Sequence, residues 1–334
     1  MTCARSGWIA SWVGLCVLSI SGFGRAGTLV LSPQKALAEP GKWTLLPPES
    51  AMIDGDAVPL YEKAAQALPD KAGDEQIRKW AAMPIEQLPL DQVEDALSKY
   101  TESLKAAARA AKCRQSNWPE YTPGMEVKYL EEYRRIAFAV RLWARLEIAN
   151  EGYDGAILAL QTAFGMSRHI GQAPTIIQVL VGTSIGGVAC RQVAEFVQGV
   201  DAPNLYPALA SLPRPFVQME KALETERKAA GPQGVLEGSN AALDRFRLIT
   251  TRLDRDLAAL QCVEAIRSYA ALHGGKLPAS LADITEVSVP GDPTNNGEPF
   301  RYAATGSTAI LESFLPPGGS EKEQVRYEIS VKGR

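Results

Sequence analysis

The sequence predicts a mainly α protein in two parts: an antiparallel helical domain, then a small α+β module of one long helix and a three-stranded antiparallel sheet. Two patterns carry this. Between residues 56 and 273, apolar residues recur at spacings of three and four, the period of a helix with one buried face. Near the C-terminus, Val325, Tyr327, Ile329 and Val331 alternate, the period of a half-buried strand. Composition agrees: 334 residues, 46% hydrophobic and 22% charged, suffice for a sizeable core and exclude global disorder. A net charge of −3 without a long basic block argues against a nucleic-acid surface. With only two histidines, His169 and His273, a multi-histidine metal site is excluded by count, and no cofactor is called for.

The chain begins with Arg5 ahead of an apolar, uncharged run from Gly7 to Ser21. That is the layout of a signal peptide, and it is shorter than the roughly 20 residues that span a bilayer. Residues 1–38 are read as this segment, with small-x-small cut sites at Gly24-Arg25-Ala26 and Ala36-Leu37-Ala38. The second is favoured because the polar, turn-prone Glu39-Pro40-Gly41 follows it. The product is an exported protein, periplasmic or extracellular, with no stable membrane span; an uncleaved N-terminal anchor flanked by Arg25 is the alternative. Cys113, Cys190 and Cys262 remain after the cut, and their odd number argues for buried free thiols over a disulfide framework.

Residues 39–55 read as an extended segment. The helical domain, 56–230, opens with Asp56 as N-cap and Pro59 in the first turn. A short helix near 74–83 follows. A longer helix from Asp91 places Val93, Leu97, Tyr100, Leu104, Ala108 and Ala111 on one face. Residues 126–150 and 153–169 form the next pair, broken at Glu151-Gly152 and closed by Gly171. His169, near that helix end, suits a capping cation. Uncharged from Gly171 to Cys190, the next stretch reads as a buried central helix. A charged helix spans 216–230, Gly231 to Ser239 is a linker, and a long helix runs to His273 inside the 240–334 module, stopped by Gly274-Gly275. Runs 300–304, 308–314 and 325–331 supply the three strands.

Two segments resemble known families. Gly152-Tyr153-Asp154 with Ala156, Leu160 and Phe164 is similar to one tetratricopeptide-type (TPR) helix pair, which implies antiparallel packing and a protein-binding role. Residues 258–312 resemble the globular head of type II secretion major pseudopilins. The resemblance lies in Cys262 to Tyr269, His273-Gly274-Gly275-Lys276-Leu277-Pro278, and Asp292-Pro293 through Gly297-Glu298-Pro299 to Tyr302. It implies a pilin-head-like fold. The matching helix lies two-thirds along the chain, and Leu315-Pro316-Pro317-Gly318-Gly319 stands where that family has an acidic calcium loop, so polymerisation and calcium binding do not carry over. Taken whole, the chain looks like uncharacterised exported bacterial proteins.

The sharpest chemical motif is Gly182-Thr183-Ser184-Ile185-Gly186. Read as a nucleophile elbow between a strand at 176–181 and a helix from Val188, it makes Ser184 a nucleophile. His273 would be its base, with Asp201, Asp244, Asp254 or Asp256 to orient it. The other reading is a small-residue face for close helix packing. Asp292-x-Thr294-x-Asn296-Gly297 copies half a calcium loop, but Ala303 stands at the closing position, so a turn is expected. The leading expectation is a non-enzymatic scaffold or adaptor with a protein partner in the cell envelope, tied to a secretion or pilus-like system. The alternatives are a serine hydrolase using Ser184 and His273, or a small-ligand carrier with an apolar pocket between the helices.

Overall fold

The computed structural model describes residues 26–39, 41–122, 125–230, 240–315 and 324–332. The apolar run Gly7 to Ser21, the linker and the stretch Pro316 to Gly319 lie outside the described residues. The protein is mainly helical with a small sheet region. Its helices are α1 (Ala57–Gln66), α2 (Asp74–Ala82), α3 (Leu90–Ser98), α4 (Thr101–Ala111), α5 (Leu130–Ala149), α6 (Tyr153–Gly171), α7 (Ile176–Phe196), α8 (Tyr206–Ala210), α9 (Glu220–Ala230) and α10 (Asn240–Leu272).

Local chemistry sets several boundaries. The Asp56 carboxylate accepts the Val58 N–H at 3.0 Å and so starts α1. The single helix that the spacing predicts from 91 to 111 is broken into α3 and α4. Hydroxyls compete for backbone carbonyls at the break: Ser98 Oγ donates to Asp95 O (2.6 Å) and Thr101 Oγ1 to Ser98 O (2.7 Å). The break serves two cores. Val93, Leu97 and Tyr100 join Ile77, Trp80 and Leu142 in a small cluster, whereas Ala106, Ala107 and Ala110 enter the main one.

Residues 176–181 form the first turns of α7, a continuous helix, and are not a strand. By length and composition α7 passes as a membrane span, but most of it is buried inside the fold. Its small residues allow close approach to α6. A Cβ on Gly182 would lie 2.5 Å from Gly171 N and 2.7 Å from Ser167 O. Ser167 Oγ donates to Gly182 O at 2.7 Å across the same contact.

The main sheet has four strands where the alternation predicts three. β6 (Arg301–Thr305), β7 (Thr308–Glu312) and β8 (Arg326–Val331) are antiparallel, and β1 (Ala26–Leu31) adds parallel to β8, giving the order β1-β8-β7-β6. The extra strand comes from within residues 1–38, read from sequence as a signal segment, and Leu29 and Leu31 are buried in the core. Part of the extended 39–55 segment is also structured. β2 (Ile53–Asp56) pairs parallel with β3 (Cys113–Gln115), bracketing α1–α4.

One core joins both halves of the chain. Leu31, Phe164, Val193, Leu253, Leu257, Leu311 and Ile329 belong to the same buried cluster. Hydrogen bonds lock the join around α10. Glu264 and Arg267, both fully buried, are paired at 3.3 Å. Arg267 Nε donates to Ser32 O (2.7 Å) and its Nη1 to Pro203 O (3.3 Å), while Glu264 Oε1 accepts from Leu205 N (2.7 Å).

In the stretch that carries the pseudopilin resemblance, α10 ends at Gly274 and Gly275, whose φ of 64° and 84° suit glycine. Asp292 then holds a turn between β4 (Gly291–Asp292) and β5 (Glu298–Pro299). Its carboxylate accepts from Thr294 N (2.8 Å), Thr294 Oγ1 (2.6 Å) and Phe314 N (3.2 Å).

Two variants test this packing. Gly182→Ala forces backbone apart at the α6–α7 contact and should cost about 1–3 kcal/mol by denaturant unfolding. Arg267→Ala leaves the buried Glu264 carboxylate without its cation and should cost about 3–5 kcal/mol in the same assay.

Candidate functional site

Ser184 and His273 sit among different neighbours. Ser184 lies inside α7 and faces Arg134, Ala137 and Phe138 of α5 across a gap of about 10 Å³, room for about one water. Gly182 and Gly186 point the other way, onto Ser167. The strand-turn-helix strain that lifts an elbow serine is therefore not formed. His273 stacks on Tyr269 with ring centroids 3.8 Å apart, and its Nδ1 lies 2.9 Å from Tyr269 O and 3.6 Å from Glu286. Asp254 accepts the Phe216 N–H at 2.9 Å and faces Arg214 at 3.8 Å, and Asp256 pairs with Arg255 at 2.8 Å. Asp201 occupies a turn with φ 53°. Asp244 has no described side chain.

His169 is buried and is not a capping cation. Tyr61 Oη lies 3.0 Å from its Nδ1, Trp118 Nε1 donates to its carbonyl at 2.8 Å, and burial pushes its pKa down to about 4, helped by Arg168. The ring is neutral at pH 7. Burial also pushes the carboxyls of Glu195, Asp254, Asp256 and Glu264 up, against the pull of their arginine neighbours. Each is tied to a partner: Glu195 receives Arg145 Nε at 2.8 Å, and the same guanidinium donates to Trp80 O and Met83 O. Glu195, Asp254 and Glu264 join separate segments, while Asp256 pairs with its neighbour Arg255 on α10. Cys113, Cys190 and Cys262 are free and buried, and burial raises all three thiols, which keeps them protonated.

The feature best placed to meet another molecule is an open groove of about 390 Å³ beside α4. Lys105, Ala108, Arg109 and Lys112, spaced three and four apart, share one face of that helix. The opposite face, Ser103, Ala106, Ala107, Ala110 and Ala111, is buried. Small residues bring it close to α6, where a Cβ on Gly165 would stand 2.7 Å from that of Ala111. Across the groove, α6 presents Leu158, 36% exposed, and β2 presents Ile53 and Asp54. Asp54 is engaged by Arg114 at 3.2 Å, and Lys105 by Glu102 at 3.3 Å; both pairs are exposed and exchange readily with competing anions. The groove thus offers cations beside apolar side chains.

The groove was not found by sequence reading. The Lys105-Arg109-Lys112 spacing is its visible half; its other wall comes from Ile53 and Leu158, which only the tertiary fold brings there.

No protein-family model matches the chain, nor does any curated protein or solved structure.

Two measurements follow. An active-serine probe should label wild type and Ser184→Ala alike, at background. His169 is neutral in the fold and titrates near 6.5 once unfolded, so unfolded chains bind the extra proton first as pH falls. Its contribution is complete above pH 6.5 and is lost down to about pH 4, by about 3 kcal/mol. His169→Gln should flatten that part of the stability–pH curve, read as the wild-type-minus-variant difference because the four raised carboxyls have the opposite sign.

Proposed function

We propose that the protein is a non-enzymatic, exported scaffold or adaptor of the cell envelope, associated with a secretion or pilus-like system. Its α4 groove receives an acidic, partly apolar segment of a protein partner. The observation that carries this reading is the placing of Lys105, Arg109 and Lys112 beside exposed Leu158 in one open groove. Such a surface attracts carboxylates over several ångströms, while the apolar residues add contact area that a free anion does not use. Support for a TPR-like arrangement comes from α5 and α6, which turn back on each other through residues 150–152. The pilin-head-like module is supported by one long helix packed against strands that follow a held turn. Arg5 and the apolar run after it support export.

In-cell crosslinking from a photoreactive residue at Leu158, followed by identification of adducts in the envelope fraction, tests the reading. Expected is a secretion or pilus component whose yield falls at least tenfold in Lys105→Glu/Arg109→Glu/Lys112→Glu and declines with salt. Recovery of the protein alone, or of the same adduct from the charge-reversed chain, overturns it.

A further inference from the structure

The two small-x-small triplets, ending at Ala26 and Ala38, bracket residues that the fold uses throughout. β1 pairs with β8 over six consecutive positions, Ala26↔Arg326 to Leu31↔Val331. Leu31 is fully buried, Leu29 and Ala36 nearly so. Beyond β1 the chain runs as a strap along α10. Ser32 O accepts from Arg267 Nε (2.7 Å), Gln34 N donates to Arg267 O (3.3 Å) and Ala36 N to Ser268 Oγ (3.0 Å). Asn204 Nδ2 ties Gln34 O to the same helix, at 2.9 Å to Gln34 and 3.0 Å to Glu264 O.

A cut after Ala38 would remove all of this. It would open the core where Leu29, Leu31 and Ala36 sit, strip β8 of a neighbour and take one acceptor from the fully buried Arg267 guanidinium. A cut after Ala26 removes only the first of the six register pairs. Leu37 and Ala38 are exposed and can change without disturbing the core.

Resting on the export reading above, we infer that the signal-peptidase cut lies after Ala26, so that Gly27 to Ala36 is a structural part of the mature protein. Water hydrolyses the Ala26–Gly27 peptide bond, leaving a carboxylate on Ala26 and an ammonium on Gly27. The new terminus lies beside Tyr327, whose ring is 3.6 Å from where a Cβ of Gly27 would stand. Such processing acts on a chain still crossing the membrane, so burial of Ala36 in the finished fold shields neither triplet; of the two cuts, only the one after Ala26 leaves a chain that keeps β1 and the strap.

The test is N-terminal sequencing and intact mass of the full-length gene product recovered from each cell fraction. The expected mature chain starts at Gly27. Ala26→Gln should leave the precursor uncut, since this class of peptidase requires a small residue there, whereas Ala38→Gln should be processed as wild type. A folded, exported chain starting at Glu39, or one blocked by Ala38→Gln, overturns the cut site while export stands. An uncut chain confined to the cytosol overturns export itself.

Discussion

Glu264 and Arg267 stand one helical turn apart on α10, a carboxylate and a guanidinium with no solvent contact. Two charges in that position are costly to bury, and their mutual attraction alone does not offset the cost. What offsets it is the set of backbone groups they satisfy. Arg267 donates to carbonyls of Ser32, Ala202 and Pro203, and Glu264 accepts the Leu205 N–H. Neither backbone segment has a regular partner of its own there. The segment after β1 and the loop before α8 take their positions from this pair, and through them the sheet is fixed to the helical body.

α7 shows the same economy of surface by different means. One side is stripped to glycine, so that α6 approaches to backbone distance at Gly182 and Gly171. Elsewhere along it Glu195 binds Arg145, which in turn holds the end of α2 through Trp80 O and Met83 O. A helix apolar enough to pass for a membrane span is thereby a core element, and its Gly-x-Ser-x-Gly belongs to packing geometry. Buried charges, raised carboxyls and a neutral His169 are found where elements meet. Unusual titration here reports tight assembly around desolvated groups, a cause as physical as catalysis.

The groove beside α4 differs in kind, because its charged residues pair, where they pair, at the surface: Lys105 with Glu102 of its own helix and Asp54 with Arg114 of β3. Lys105 and Arg109 are exposed, and the ion pairs that touch the groove are exposed as well. A partner's carboxylates can replace them at little cost, which the buried pairs do not allow. Ion pairs are buried where elements meet, and exposed along the groove.

By itself the sequence determined the mainly helical character, the Asp56 cap, the stop at Gly274-Gly275 and the alternation of Val325 to Val331, since each depends on a residue's immediate neighbours. Only the tertiary structure decided that β1 joins β8, because the register of a parallel pair separated by nearly the whole chain leaves no local pattern. It also decided that 176–181 is helix: a short apolar run has no period to separate strand from buried helix, and the approach of α6 selects the latter. The groove was half legible, in the spacing of Lys105, Arg109 and Lys112. Its apolar wall depends on Ile53 and Leu158, distant residues that meet because α4 buries its alanines against α6.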